Sequence, residues 1–166
     1  MIEPIKQKKI SPSVVVFLIR WWTAGAVMYF IGWGTALGQY DNSIDLIFGL
    51  GTVYGLIQSY ILGPVFKMLY NIGPVKDYKE LSYGRKFLWR VSDVSLGIVT
   101  VVFVYAIFVL LNTVAVALLE KEAGALVVPV EPILFGFFFS LVTLLFTVIG
   151  KQIGKIKQNI RGREDI

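Results

Sequence analysis

Two missing residue types decide most of the chemistry open to this chain. Its 166 residues include no His and no Cys. That removes bis-histidine haem ligation, the usual zinc and di-iron sites, and Ser-His-Asp or Cys-His nucleophile activation. It also removes thiol redox relays. Asp, Glu, Lys and Tyr chemistry survives, but the 11 acids are confined to the ends of apolar runs or lie outside them. No Asp or Glu sits in the middle of a run, where proton- or sodium-coupled exchangers need a titratable carboxylate. The expectation is a non-enzymatic chain with no catalytic residue, cofactor or metal.

Three polar residues invite a joint reading. Arg20, Gln58 and Asp93 each fall near the same end of a different apolar run. Ionisable groups in a membrane are costly, so they pair or face a cavity. An Arg20–Asp93 pair bridged by Gln58 is one expectation. The other is that Arg20 snorkels to lipid phosphate beside Trp21 and Trp22, while Asp93 merely starts a helix near Arg90. Asn112 and Thr143 sit inside later runs, with Thr113 and Thr147 nearby, and read as interhelical polar contacts. The four Trp and eight Tyr read as aromatic belts at the two interfaces. Gly34 and Gly38 are four apart, as are Gly51 and Gly55. Small residues at that spacing let helices approach closely in lipid, so these faces read as packing between the first two runs or as a seam between subunits.

The elements that must position these residues are transmembrane helices. Apolar residues make up 56% of the chain and charged residues 16%, against about 45–50% and about 25% in soluble domains. A spanning helix needs roughly 20 apolar residues. Charge-free runs occur at Trp21–Tyr40, Leu46–Phe66, Val94–Leu119 and Pro132–Gly150. They do not alternate as barrel strands would. The expected fold is an all-α integral membrane protein, residues 1–166 forming one membrane domain. Its four spans, near 14–39, 45–66, 93–119 and 131–151, would form a bundle. The flank Lys6-Gln7-Lys8-Lys9 and the stretch Ala36-Leu37-Gly38 resemble parts of a cleaved signal. The apolar region between them is too long for one and contains Arg20, so it is read as a span.

Orientation follows from the basic residues. Fifteen of the 16 Lys and Arg fall in the N-terminal segment, the central loop at 67–92 and the tail at 152–166 or its junction with the fourth span. Lys121 alone falls on the other side, among Asp41, Asp45, Glu120, Glu122 and Glu131. Cytoplasmic loops collect Lys and Arg. Both termini and the central loop are therefore expected in the cytoplasm of a multi-pass cell-membrane protein. The basic charge reads as attraction to anionic lipid, with no soluble module for nucleic acid. Ser82 to Val94 reads as a short interfacial helix before the third span, with Arg85, Lys86 and Arg90 reaching phosphates. Gly63-Pro64 is expected to bend or end the second span. Ile149, Ile153, Ile156 and Ile160 are spaced 4, 3 and 4, which extends the fourth span as an amphipathic helix. That stripe rests on lipid or the central loop, or docks a partner.

The segment Gly63-Pro64-Val65-Phe66-Lys67-Met68-Leu69, followed by Tyr83-Gly84-Arg85-Lys86-Phe87-Leu88-Trp89-Arg90, loosely resembles the RDD family of small bacterial membrane proteins. Arg20 matches that family's Arg in the first span. The acid expected one or two turns later is replaced by Val27, Met28 and Tyr29, and the family's acidic motif after the last spans is absent. The likeness covers about 30 residues and implies no function here.

Two functions from different classes remain. One is a non-catalytic accessory or scaffolding subunit of a larger membrane complex, a transporter above all, with hetero- or homo-oligomeric partners. The other is a small self-sufficient oligomeric transporter or channel with Arg20, Gln58, Asp93 and Asn112 along its path.

Overall fold

A computed structural model describes residues 11–35, 43–71, 82–120, 122 and 130–164, with side chains for 11–35, 44–71, 82–120, 122 and 130–156. Among these residues the backbone is helical, with no strand. Four helices are long and apolar enough to cross a membrane: Pro12–Trp33, Ile44–Tyr70, Tyr83–Leu119 and Glu131–Ile156. In hydrocarbon a helix satisfies every backbone N–H and C=O internally, which is why such apolar runs take this form.

Helix α1 (Pro12–Val27) starts at Ser11, whose carbonyl accepts the N–H groups of Val14 and Val15. Pro12 at the first turn has no N–H to leave unsatisfied. The helix continues as a π-helical segment, Met28–Trp33. Helix α2 (Ser43–Ile57) likewise runs into a π segment, Gln58–Leu62, and then into α3 (Gly63–Tyr70). Gly63-Pro64 therefore does not end the second span. The wider π turn falls immediately before Pro64, where the proline removes an α-helical donor. The Gly63 N–H reaches the Gln58 carbonyl instead. The span closes at Asn71 in the left-handed conformation, φ 52°, with its N–H on Lys67.

Helix α4 (Tyr83–Leu119) is unbroken over 37 residues. The separate interfacial helix expected before the third span is thus fused to it; nothing between Ser82 and Val94 interrupts the i to i−4 pattern. Helix α5 (Glu131–Glu164) is equally continuous over 34 residues. Its helical path runs through the residues expected to form an extension.

The closest packing joins α1 to α5 and α2 to α4. Both pairs cross on glycine. A Cβ on Gly51 would lie 2.5 Å from the Ile98 Cα, one on Gly55 2.5 Å from the Val94 Cα, and one on Gly97 2.5 Å from the Gly51 carbonyl oxygen. A Cβ on Gly25 would sit 2.8 Å from the Pro132 carbonyl oxygen, and one on Gly136 would strike the Trp21 carbonyl. Gly51 and Gly55 therefore receive the third span, not the first. Gly34 abuts its own helix end at the Phe30 carbonyl. Gly38 lies outside the described residues. These pairings make α1/α5 and α2/α4 antiparallel. Pro12 therefore lies level with the stretch of α5 near Leu145, and the ends near Tyr70 and Tyr83 lie on the same side.

The two pairs share one core. The Tyr54 ring meets Phe139 at 4.1 Å, and Phe108 meets Phe135 at 6.5 Å. Leu50, Phe66, Val101, Val104, Phe135 and Phe139 are fully buried.

Candidate functional site

Arg20, Gln58 and Asp93 occupy the half of the molecule toward Tyr70 and Tyr83. The π segment of the second span organises them. Ser59 hydrogen-bonds the Asp93 carboxylate from α2's continuation. Its neighbour Tyr60 presents its ring to Arg90, whose guanidinium lies 4.4 Å from the centroid. Consecutive residues of a wider helical turn thus both meet α4, and π turns are frequent at functional sites.

Arg20 approaches from α1. Its guanidinium lies 5.5 Å from the centre of the buried Phe66 ring, a cation–π geometry. Its charge acts on both Asp93 and the Tyr54 hydroxyl. Arg20 and Asp93 are therefore within electrostatic range of one another, and the Gln58 Oε1 does not bridge them. Ser59 holds Asp93, and the Gln58 Oε1 is buried without a protein hydrogen-bond partner. Arg20 Nε, Tyr54 Oη and, on α5, Ser140 Oγ are buried in the same condition. A buried donor or acceptor left unmatched costs about 1–3 kcal/mol. These atoms can offer hydrogen bonds to water or to a small polar ligand.

The other polar expectations resolve differently. The Thr143 hydroxyl donates 2.8 Å to the Phe139 carbonyl of its own helix instead of reaching across an interface. Thr100, Thr113 and Thr147 do the same with Leu96, Val109 and Thr143. A β-branched hydroxyl at helical spacing satisfies itself on the i−4 carbonyl, so it needs no neighbour. Asn112 is half-buried on α4.

The helix ties come from residues read as a belt. The Trp21 indole donates to the Ile133 carbonyl at 2.9 Å, and Trp33 donates to Glu131 at 3.2 Å. Both join α1 to α5. Tyr105 is also within electrostatic range of Glu131. Tyr54, Ser59 and Tyr60 were not legible as site residues. The only trace is that Tyr54 and Gln58 are spaced i, i+4, beside the Gly51/Gly55 face.

Two further surfaces stand out. An open apolar groove of about 500 Å³ runs along α1 and α5, floored by Gly25 between Trp21, Tyr29 and Pro132. On the extensions, Arg85 is exposed, and Lys86 and Arg90 are half-buried. Ile149, Ile153 and Ile156 are 53%, 60% and 58% exposed. The Ile160 side chain lies outside the described residues.

No family model, curated protein or solved structure matches this chain. The likeness to RDD proteins at 63–94 therefore carries nothing further.

Proposed function

We propose that the chain is a non-catalytic accessory or scaffolding subunit of a larger membrane complex, a transporter being the class of complex intended. The observation that supports this reading is the length of α4 and α5. At about 1.5 Å per residue they measure about 55 Å and about 51 Å, against about 30 Å of hydrocarbon. Among the described residues, parts of both helices keep exposed apolar side chains. Tyr83, Phe87, Leu88 and Val91 are exposed on α4, beside Arg85. An exposed apolar face set beside basic residues is a natural contact surface.

In this reading the four spans form a bundle in the cell membrane. Both termini and the central connection are cytoplasmic, because that end holds nearly all the Lys and Arg. The basic residues hold anionic headgroups, and the apolar faces hold other subunits. Purification of the tagged chain from its native membrane in mild detergent tests the proposal. A stoichiometric second protein is the expected result; a clean homo-oligomer overturns it.

The second reading, a small oligomeric transporter or channel, is favoured by one observation. Arg20, Tyr54, Gln58 and Ser140 each bury a polar atom with no hydrogen-bond partner among the described residues. It predicts solute flux from the protein reconstituted alone, lost in Asp93→Asn while folding is retained.

A further inference from the structure

The buried polar atoms without a hydrogen-bond partner near Asp93 come from three different spans. They are Arg20 Nε on α1, Tyr54 Oη and Gln58 Oε1 along the second span, and Ser140 Oγ on α5. The geometry brings these side chains to one region. Tyr54 and Gln58 are one turn apart on the same span. The Tyr54 ring lies 4.1 Å from Phe139, and Ser140 is the next residue. Trp21 packs on Phe137 at 5.4 Å, which sets Arg20 beside the same stretch of α5. The Arg20 charge reaches the Tyr54 hydroxyl.

Their burial is graded. Arg20, Gln58 and Asp93 are half-buried, whereas Tyr54 is 4% and Ser140 1% exposed. The polar atoms therefore lead inward from the end near Tyr70 and Tyr83. About one turn beyond Tyr54 and Ser140 they meet an apolar floor, where Leu50, Val101, Val104 and Phe135 are fully buried. Thr100 borders this floor, and its hydroxyl is already spent on the Leu96 carbonyl of its own helix at 2.7 Å.

We infer that Arg20, Tyr54, Gln58 and Ser140 bind water, in a hydrated recess entered from the Arg20 and Asp93 end and closed at the apolar floor. The chemistry of the four atoms selects that ligand. Arg20 Nε only donates, Gln58 Oε1 only accepts, and the two hydroxyls do both. Water alone among small neutral ligands matches such a mixed set in any order. Arg20 and Asp93 set opposite charges at the mouth, which favours a neutral occupant over an ion. The depth of Tyr54 and Ser140 excludes a larger one. A buried water makes about three hydrogen bonds to otherwise unmatched groups, so about two waters are enough for the four atoms.

A hydrated recess is compatible with either role proposed above. Because the water stops at the floor, it predicts proton exchange without solute flux, so the exchange and flux measurements fail separately.

The chain has no cysteine, so the S–H stretch of a single introduced thiol can be followed by infrared spectroscopy. Ser140→Cys is nearly isosteric, and Val101→Cys places a thiol in the floor. Each full-length variant is reconstituted in lipid and transferred to heavy water. A thiol sealed from water exchanges only when the structure opens, so Ser140→Cys is expected to exchange at least about tenfold faster than Val101→Cys. Equal rates overturn the recess, whether both thiols are slow because no water enters or both are fast because no floor exists. Hydroxyl-radical labelling of the wild type by X-ray pulses gives a reading without substitutions, because bound water generates the radical beside the residues that hold it. Tyr54 is expected to be labelled and Phe135 not, although both are buried. A Tyr54 as silent as Phe135 overturns the inference.

Discussion

Asp93 could have been held by Gln58 or Ser59, and the choice is decided by one turn of backbone. Ser59 donates to the carboxylate, so Ser59→Ala leaves a partly buried charge short of one hydrogen bond. Hydrogen bonds to charged groups are worth about 1.5–3 kcal/mol, and partial exposure places this one at the lower end. Gln58→Leu removes a buried oxygen that has no protein partner, so it is expected to be neutral or slightly stabilising. Thermal unfolding of the two variants in detergent separates the assignments. A destabilised Gln58→Leu with an unaffected Ser59→Ala would restore Gln58 as the bridge. Tyr54 offers a third comparison. Its ring packs at 4.1 Å on Phe139, whereas its hydroxyl meets no protein group. Tyr54→Phe should keep the melting temperature, and Tyr54→Ala should lose about 3–5 kcal/mol as other large aromatic truncations do.

At the scale of elements, the backbone-to-backbone crossings carry the fold. Without a hydrophobic drive between helices in lipid, affinity comes from close packing, and a glycine is what allows it. Gly97 faces the Gly51 carbonyl at a distance no side chain can share. Gly97→Val must therefore push α2 and α4 apart, at an expected cost of about 1–3 kcal/mol or more. Gly84 meets nothing within 4 Å. Gly84→Ala should be neutral or gain up to about 1 kcal/mol from helix propensity. A detergent melt of the pair tests the crossing directly. An unshifted Gly97→Val would mean that α2 and α4 do not meet there. The π segments belong to this scale too. The segment before Pro64 lets one span pass a proline without ending, and it turns Ser59 and Tyr60 toward α4.

For the whole molecule, the antiparallel pairs bring Lys67, Arg85, Lys86, Arg90, Lys151 and Lys155 toward one end, and the direction of that end in the membrane is a matter of charge. A Cys-free chain permits a direct test. Cysteines replacing Ser82 and Gln152 should react with an impermeant maleimide only from the cytoplasmic side, and one replacing Glu122 only from outside. The reverse pattern would invert the topology inferred from the Lys and Arg distribution.

The number of spans and their helical form follow from sequence alone, because a charge-free run of about 20 residues has one stable form in hydrocarbon. The empty His and Cys columns likewise limit the chemistry without any coordinates. Where α4 begins and whether Gly63-Pro64 breaks a helix were not legible. Each depends on whether a turn can rearrange its hydrogen bonds, as the π segment does. Partner choice was hidden for a different reason. Gly51 and Gly55 announce a close crossing, but a glycine face fits any helix with a matching gap. Only the tertiary structure shows that Gly97 supplies that gap while Gly25 and Gly136 serve the other pair. The isoleucine spacing in the tail was plain from the start. That it continues the buried face of α5 became visible only when Phe135, Phe139 and Val142 proved to be core, since burial is a property of neighbours and not of spacing.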